Sequence, residues 1–163
     1  MSDELHDNAV LLEGFYAALT ARDFRSMGAA YSDDATFSDP VFSGLTALET
    51  RAMWHMLCEQ GTDLLVTHSD VTSDGDTGSA RWEARYSFGP EARYVHNRIS
   101  ATFRFRDGLI LEHTDDFDLW KWTRMAVGTI GVIGGWSNFV QSKVRSTANH
   151  SLERFIEAHP EYQ

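Results

Sequence analysis

The sequence is poor in cysteine, in basic residues and in long apolar runs, and each shortage weighs against a class of protein. Its single cysteine, Cys58, cannot form an internal disulfide and lies in a helical pattern, which predicts a buried reduced thiol. The sequence has 14 basic and 24 acidic residues. The resulting net charge of −10 disfavours nucleic acid or an anionic membrane as the main partner. The longest weakly polar run, 125–136, is too short to span a bilayer and is interrupted by glycines.

Size and termini favour one intracellular domain. The 163 residues are enough for a single substantial core, and the chain contains no internal repeat or low-complexity tract. Residues 1–8 are acidic and polar, so no signal peptide is visible. We therefore expect a cytoplasmic protein.

The clearest pattern is a β-hairpin predicted over residues 94–122. Two runs rich in β-branched and aromatic residues flank Asp107-Gly108, a dipeptide typical of hairpin turns. Alternate residues of the first run form an apolar face with one amide: Val95, Asn97, Ile99, Ala101, Phe103 and Phe105. In the second run one phase contains Leu109, Leu111, His113, Asp115, Phe117 and Leu119. If that phase points inward, an imidazole and a carboxylate enter an otherwise apolar concavity.

The rest of the chain predicts helices before strands. Helices are expected at 5–21, 24–31 and about 46–60, strands at 35–39, 64–72 and 79–88, and a last helix at about 137–158. The apolar face of the third helix is expected to be Leu48, Ala52, Met53, Met56 and Leu57. The glycine-spaced segment 128–135 fits a flap or packing segment better than a phosphate loop. This order predicts an α+β fold with a sheet wrapped around the first helix.

The run YSDDATFSDP, from Tyr31 to Pro40, in this order of elements resembles the superfamily of nuclear transport factor 2, ketosteroid isomerase and SnoaL-like proteins. The resemblance covers roughly residues 5–122. It implies a cone, in which a curved antiparallel or mixed sheet and the N-terminal helices enclose one deep, mostly apolar pocket. It also implies a single domain over 1–163, with 125–163 as a C-terminal extension made of a flap and a helix. A small apolar ligand and a homodimer through the outer sheet face follow from the same resemblance.

The functional residues of the isomerase carry over only in part. Its general-base aspartate falls on Asp39. Its oxyanion-binding tyrosine falls on Phe15, and Tyr16 is one residue further, roughly 100° around the helix. Its second, protonated acid falls on Ala101. Two of the three groups are therefore missing, and steroid isomerisation is not implied.

The candidate catalytic residues are Asp39, His113 and Asp115. Apolar walls would raise the pKa of Asp39 toward neutrality, or else Asp39 belongs to a turn with Pro40 and caps backbone amides. His113 and Asp115 share a face of one strand, so they could form a proton-transfer pair with Asp39, or Asp115 could orient His113. The alternatives are a polar patch at the rim, or the opposite phase with Thr114 and Asp116 inward.

The expected substrate contacts are Phe15, Tyr16, Trp54, Trp82, Tyr86, Asn97, Phe103 and Phe117. Asn97 or Tyr86 could hold a carbonyl oxygen of a ligand, or they could bond to each other or to a buried water. No metal and no other cofactor is expected. A metal would need a second inward histidine beside His113, and His96 lies in the outward phase.

These residues predict acid/base chemistry on a small, apolar carbonyl compound, by an isomerase, a cyclase or a dehydratase. The alternative is a non-catalytic ligand-binding or dimerisation module of the same fold. An epoxide hydrolase would be expected to have an inward Asp-Arg-Asp array. Here the strand arginines lie in the outward phase: Arg81, Arg85, Arg98 and Arg104.

Overall fold

The computed structural model describes residues 2–129 and 137–163, with side chains from residue 7 onward. The first half contains α1 (Ser2–Thr20), α2 (Phe24–Ala29), β1 (Tyr31–Ser38) and α3 (Ala47–Gln60). The strands that follow are β2 (Leu65–Asp74), β3 (Thr77–Phe88), β4 (Arg93–Arg106) and β5 (Leu109–Asp116). The last elements are α4 (Leu119–Val127), α5 (Asn138–Ala158) and a 3₁₀ turn (Pro160–Tyr162).

The five strands in the described part of the chain form one open sheet in the order β1-β5-β4-β3-β2. β1 runs parallel to β5, while the other neighbours are antiparallel. Irregularities interrupt three of the four ladders, and such bulges bend a strand and increase its twist. With helices before and after this mixed sheet, the predicted α+β class is confirmed.

Side-chain caps fix where the helices begin. The Asp23 carboxylate accepts a hydrogen bond from the Ser26 N–H at the start of α2. Thr46 and Glu49 form a reciprocal capping box at the start of α3. Ser137 caps α5 through the Val140 N–H. The three helices therefore begin where the sequence predicts, whereas α2 ends at Ala29, before the predicted end at residue 31.

The central hairpin has the predicted turn and a shorter second arm. Asp107 and Gly108 both have positive φ, at 53° and 75°, as a two-residue hairpin turn requires. The predicted apolar face of β4 is buried along its whole length. The prediction of a strand as far as residue 122 is wrong, because the Asp118 side chain accepts from the Lys121 N–H and starts α4.

Two predicted inner faces need correction. Arg104 pairs with Glu112 and Phe105 with Ile110, so Leu111 is the extra residue of a bulge and Ile110 is buried instead of Leu109 and Leu111. On α3, Leu48 and Leu57 are exposed. That helix packs against α2, β1 and α5, so it buries a face that also includes Trp54 and Cys58. The predicted buried thiol is confirmed.

The C-terminal helix lies against the domain as the amphipathic pattern predicted. α5 packs on α3, and Leu152 is its buried residue. Residues 130–135 of the predicted flap or packing segment 128–135 lie outside the described residues. Over the ranges that the structure describes, none of the helices combines the length and the apolar character needed to cross a membrane.

Candidate functional site

Strand pairing brings the three predicted catalytic residues to one side of the sheet. His113 on β5 pairs with Phe37 on β1 and with Phe103 on β4. Two residues further along β5, Asp115 pairs with Ala101. Asp39 follows the last residue of the parallel strand β1, two positions after Phe37, so it extends the same face toward Asp115. The inward phase predicted for His113 and Asp115 is correct.

A chain of hydrogen bonds runs through this buried region. The Trp54 indole N–H donates to the Tyr31 hydroxyl oxygen at 2.9 Å, and that hydroxyl contacts His113 Nδ1 at 2.7 Å. His113 Nε2 lies 2.9 Å from Asp115 Oδ1, to which the Trp82 indole N–H also donates at 3.4 Å. An indole only donates, so the Tyr31 proton is free for Nδ1 and His113 keeps its own proton on Nε2. Every bond is then satisfied with a neutral imidazole.

Aromatic rings enclose this network. His113 is 1% exposed and Asp115 is 4% exposed. The His113 ring lies 4.3 Å from the Phe103 ring, 4.9 Å from Phe37 and 5.8 Å from Phe15, measured between centroids. Burial raises the pKa of Tyr31 well above its ordinary value, so Tyr31 stays a protonated donor.

Asp39 is a turn cap and also a carboxyl group with a raised pKa. Its Oδ1 accepts the backbone N–H groups of Val41 at 2.7 Å and Phe42 at 2.6 Å. Burial raises the pKa of Asp39 to about 6 against the lowering effect of these bonds, and the Asp115 carboxylate raises it further. Among residues 2–129 and 137–163, no group hydrogen-bonds to Oδ2 of Asp39. That oxygen can accept a proton.

The C-terminal helix fixes the turn that holds Asp39. Arg145 donates from Nε to the Pro40 carbonyl at 2.8 Å, and Asn149 donates from Nδ2 to the Val41 carbonyl at 3.3 Å. The amphipathic pattern predicted the helix but gave no indication of this contact. The extension therefore positions a candidate catalytic residue in addition to covering α3.

Tyr16 places a buried hydroxyl next to the network. The side chain is fully buried, and its Oη has no hydrogen-bond partner in the described part of the chain. Burial raises its pKa, and the Asp115 carboxylate adds to that rise. Buried hydroxyls are seldom without a partner, so this donor is suited to a ligand oxygen.

Residues 12–113, more than half of the chain, match the sequence profile of the SnoaL-like domain. This chain belongs to the SnoaL-like family. A search of curated proteins found no match to it.

Solved structures share the fold of this SnoaL-like protein. A LEH-like epoxide hydrolase from M. tuberculosis is 22% identical with a TM-score of 0.62, over 80% of this chain and 97% of that one. TsrD from Streptomyces laurentii is 24% identical with a TM-score of 0.63, over 74% and 94%. A putative SnoaL-like polyketide cyclase from Jannaschia sp. is 13% identical with a TM-score of 0.67, over 76% and 93%. At these identities the likeness establishes the fold alone.

The predicted substrate contacts of the SnoaL-like protein fall into two groups. Around His113 and Asp115 the structure brings together Phe15, Tyr16, Trp54, Trp82 and Phe103. Tyr86 and Asn97 lie further along the sheet, where the Tyr86 hydroxyl accepts from Trp122 Nε1 at 2.7 Å. Asn97 is buried without a side-chain hydrogen bond to the residues described, and Phe117 is half-buried after the end of β5.

Tyr31 is the member of the network that the sequence analysis missed. It was expected to end the second helix, whereas it begins β1 and is buried like Ala35 and Phe37. Tyr31 has the same phase as those two residues, but Asp33, which also has that phase, is exposed, and the pairing of β1 is irregular between Tyr31 and Thr36, so alternation alone did not mark Tyr31 as buried.

Two surface concavities lie away from the network. One, of about 520 Å³, is lined by Phe24, Arg25, Gly28, Ala29, Arg51, Glu161 and Tyr162. The other, of about 310 Å³, is lined by Ala21, Arg22, Phe24, His55, Cys58 and Glu59. Neither includes a predicted site residue, so the deep pocket remains a prediction.

Proposed function

We propose that this SnoaL-like protein is an enzyme that removes a proton next to the carbonyl group of a small, apolar compound, with Asp39 as the base. The observation that carries the proposal is the Asp39 carboxyl group, whose pKa is raised to about 6, beside the buried His113–Asp115 pair. A general base works best when its pKa lies near the working pH, and the rise of the Asp39 pKa toward neutrality has that effect.

Each polar group has a role in this proposal. The C–H bond breaks, its proton moves to Oδ2 of Asp39, and the electron pair moves onto the carbonyl oxygen as an enolate. The unpartnered Tyr16 hydroxyl donates to that oxygen. Return of the proton to another carbon is an isomerisation, attack of the enolate carbon on a second carbonyl is a cyclisation, and loss of a β-hydroxyl as water is a dehydration.

The solved structures with this fold include an epoxide hydrolase and a putative polyketide cyclase. In the described part of the chain, no arginine forms an ion pair with Asp39 or Asp115. Arg81, Arg98 and Arg104 are exposed on the outer face of the sheet. These positions support proton transfer over the opening of an epoxide by an Asp-Arg-Asp array.

The test is deuterium exchange at carbon. A panel of cyclic β-diketones and unsaturated ketones is incubated with the protein in D₂O, and loss of the proton next to the carbonyl is followed by NMR. We expect exchange with at least one compound, and Asp39→Asn should slow it by about 10²–10⁴-fold. Its melting temperature should not fall, because the amide oxygen can still accept the two backbone bonds.

Asp116→Asn is the matched control, since Asp116 lies one residue from Asp115 and is exposed on the other face. It should exchange at the wild-type rate. Full exchange by Asp39→Asn on a compound that wild type processes would overturn the assignment of the base.

One observation favours a second candidate, a non-catalytic ligand-binding or dimerisation module. Aromatic side chains pack against His113 and Asp115, and neither surface concavity reaches them. A ligand-binding module would bind a compound of the panel saturably without catalysing exchange. A dimerisation module would form a dimer and show neither ligand binding nor exchange. The homodimer through the outer sheet face and the cytoplasmic location stay predictions.

A further inference from the structure

A second cluster of ligand-forming side chains lies where the end of the chain meets α3. It consists of His55 on α3, His159 at the end of α5 and Glu161 in the 3₁₀ turn. Nothing in the sequence pattern predicted it, because His55 is about a hundred residues away from the other two. We propose that these three residues form a binding site for a divalent transition-metal ion such as Zn²⁺.

The first support is the geometry and chemistry of the donors. One ligand atom from each of the three side chains lies within 4.8 Å of those from the other two. In a tetrahedral zinc site the ligand atoms are about 3.3 Å apart, so a small closing movement would complete the site. Glu161 is exposed and free to make that movement. Two imidazoles with one carboxylate are a donor set that zinc and its neighbours in the first transition row accept.

The second support is the orientation of the imidazoles. His159 Nδ1 donates to the Phe155 carbonyl at 2.7 Å, which leaves the lone pair on Nε2 available. His55 Nδ1 contacts the Tyr162 hydroxyl at 3.0 Å, and this bond likewise leaves Nε2 for a ligand. Metal-binding histidines commonly use one ring nitrogen for the ion and the other for a carbonyl or hydroxyl partner.

The rings are also held in place by packing. His55 stacks on Phe24 with 3.6 Å between centroids, and His159 stacks on Phe155 with 3.9 Å. Both histidines are half-buried, so little freedom would be lost when an ion binds. Packing alone explains why the rings stack. It does not explain why the Glu161 carboxylate lies close to the nitrogen atoms of both histidines.

Charges of both signs lie near the proposed site. A second carboxylate, that of Glu59, lies 3.8 Å from His55 Nε2 and could supply a fourth ligand. The positive charge of Arg25 on α2 also acts on His55, and it opposes a bound cation. Because the side occupied by Glu161 faces solvent, a water molecule could take any remaining coordination position.

The experiment uses the full-length chain without an affinity tag, stripped of metal by a chelator. Zn²⁺ is titrated by calorimetry, and Co²⁺ binding is followed by its visible absorption. We expect one ion per chain and a higher melting temperature with Zn²⁺, because the ion joins α3 to the C-terminal turn. Glu161→Gln and His159→Gln should each lower the affinity by about tenfold or more and remove the stabilisation.

His150→Gln is the matched control, because His150 is an exposed histidine of α5 that faces Glu153 at 3.6 Å. It should bind Zn²⁺ as wild type does. Glu161 is exposed, so its variant is expected to fold even if a histidine variant does not. Absence of stoichiometric binding, or a folded Glu161→Gln protein with wild-type affinity, would overturn the proposal. Asp39→Asn should bind the ion unchanged, which separates this inference from the proposed catalysis.

Discussion

The sheet carries a histidine–carboxylate pair on each of its two faces, and the two pairs differ in their surroundings. On the inner face, His113 and Asp115 are 2.9 Å apart, with side chains 0% and 3% exposed. On the outer face, His96 and Glu83 are 2.6 Å apart, with side chains 24% and 34% exposed. The chemical groups and the ring nitrogen used are the same in both.

The difference shows what burial demands of a polar pair. Each ring nitrogen of His113 has a protein partner, and Asp115 accepts from Trp82 as well. Glu83 instead shares its carboxylate among His96, Arg85 and Arg98 and can still reach water. A buried group that loses its partner pays the full cost of desolvation, whereas an exposed one finds water. Substitutions on the two faces should therefore have very different effects.

The largest effect is expected for Asp115→Ala. The substitution leaves the His113 Nε2–H and the Trp82 indole N–H without an acceptor in a region closed to solvent. Each unsatisfied buried donor costs about 1–3 kcal/mol, so we expect a loss of about 2–5 kcal/mol in the free energy of unfolding, measured by urea denaturation.

Two further variants are compared with the stability loss of Asp115→Ala. Asp115→Asn keeps an oxygen acceptor and should lose less. Asp116→Ala, on the exposed face of the same strand, should stay within about 0.5 kcal/mol of wild type. A fully stable Asp115→Ala protein would mean that the buried pair does not form.

The second effect is a pH dependence that arises from Asp39. Burial raises its pKa from 3.8 to about 6 in the folded chain, so the folded state holds the proton more tightly than the unfolded state. The stabilisation is fully present below pH 3.8 and is lost as the pH rises through 6. Compared with Asp39→Asn, wild type should lose about 2–3 kcal/mol between about pH 4 and pH 7.5.

The measurement is denaturant unfolding of both proteins at a series of pH values. Any change shared by the two proteins reports on other groups and cancels in the comparison. A difference that grows toward low pH in favour of Asp39→Asn would have the opposite sign and would contradict the raised pKa.

The third comparison is between two buried tyrosines. Tyr31→Phe removes the hydroxyl that accepts from Trp54 and contacts His113, and we expect a loss of about 1–3 kcal/mol. Tyr16→Phe removes a hydroxyl that has no partner among the described residues, so stability should be unchanged or higher. Thermal and urea unfolding of both variants measure the contrast. Equal losses would show that Tyr16 has a partner too.

The fold could be predicted from the sequence wherever the deciding interactions are local. Alternation along β4 gave its buried face, and Asp23, Thr46 and Ser137 gave the helix starts, because those signals act within a few residues. The sequence could not show that Leu119 begins a helix, because the aromatic alternation after Asp118 is equally typical of a strand. The bulge at Leu111 depends on how β5 pairs with β4, which the run itself does not encode.

For the candidate site, the sequence could predict only those residues whose orientation follows from the alternation of a strand. Phase placed His113 and Asp115 inward, and the strand ending at Pro40 placed Asp39 near them. Tyr31 contacts His113 across 82 residues of sequence, and Arg145 holds the Pro40 carbonyl across 105. Such contacts depend on how the elements pack together, and one sequence contains no direct signal for them.

The smallest effect is expected for Glu83→Gln on the outer face. Glu83 has a lowered pKa, chiefly because of its hydrogen bond with His96, but its partners are exposed and retain water when the charge is removed. The melting temperature should fall less than in Tyr31→Phe, and the difference from wild type should shrink further at high salt, which screens exposed charges. Thermal melts at low and high salt measure both. If Glu83→Gln cost as much as Asp115→Ala, exposure to water would not be what separates the two pairs.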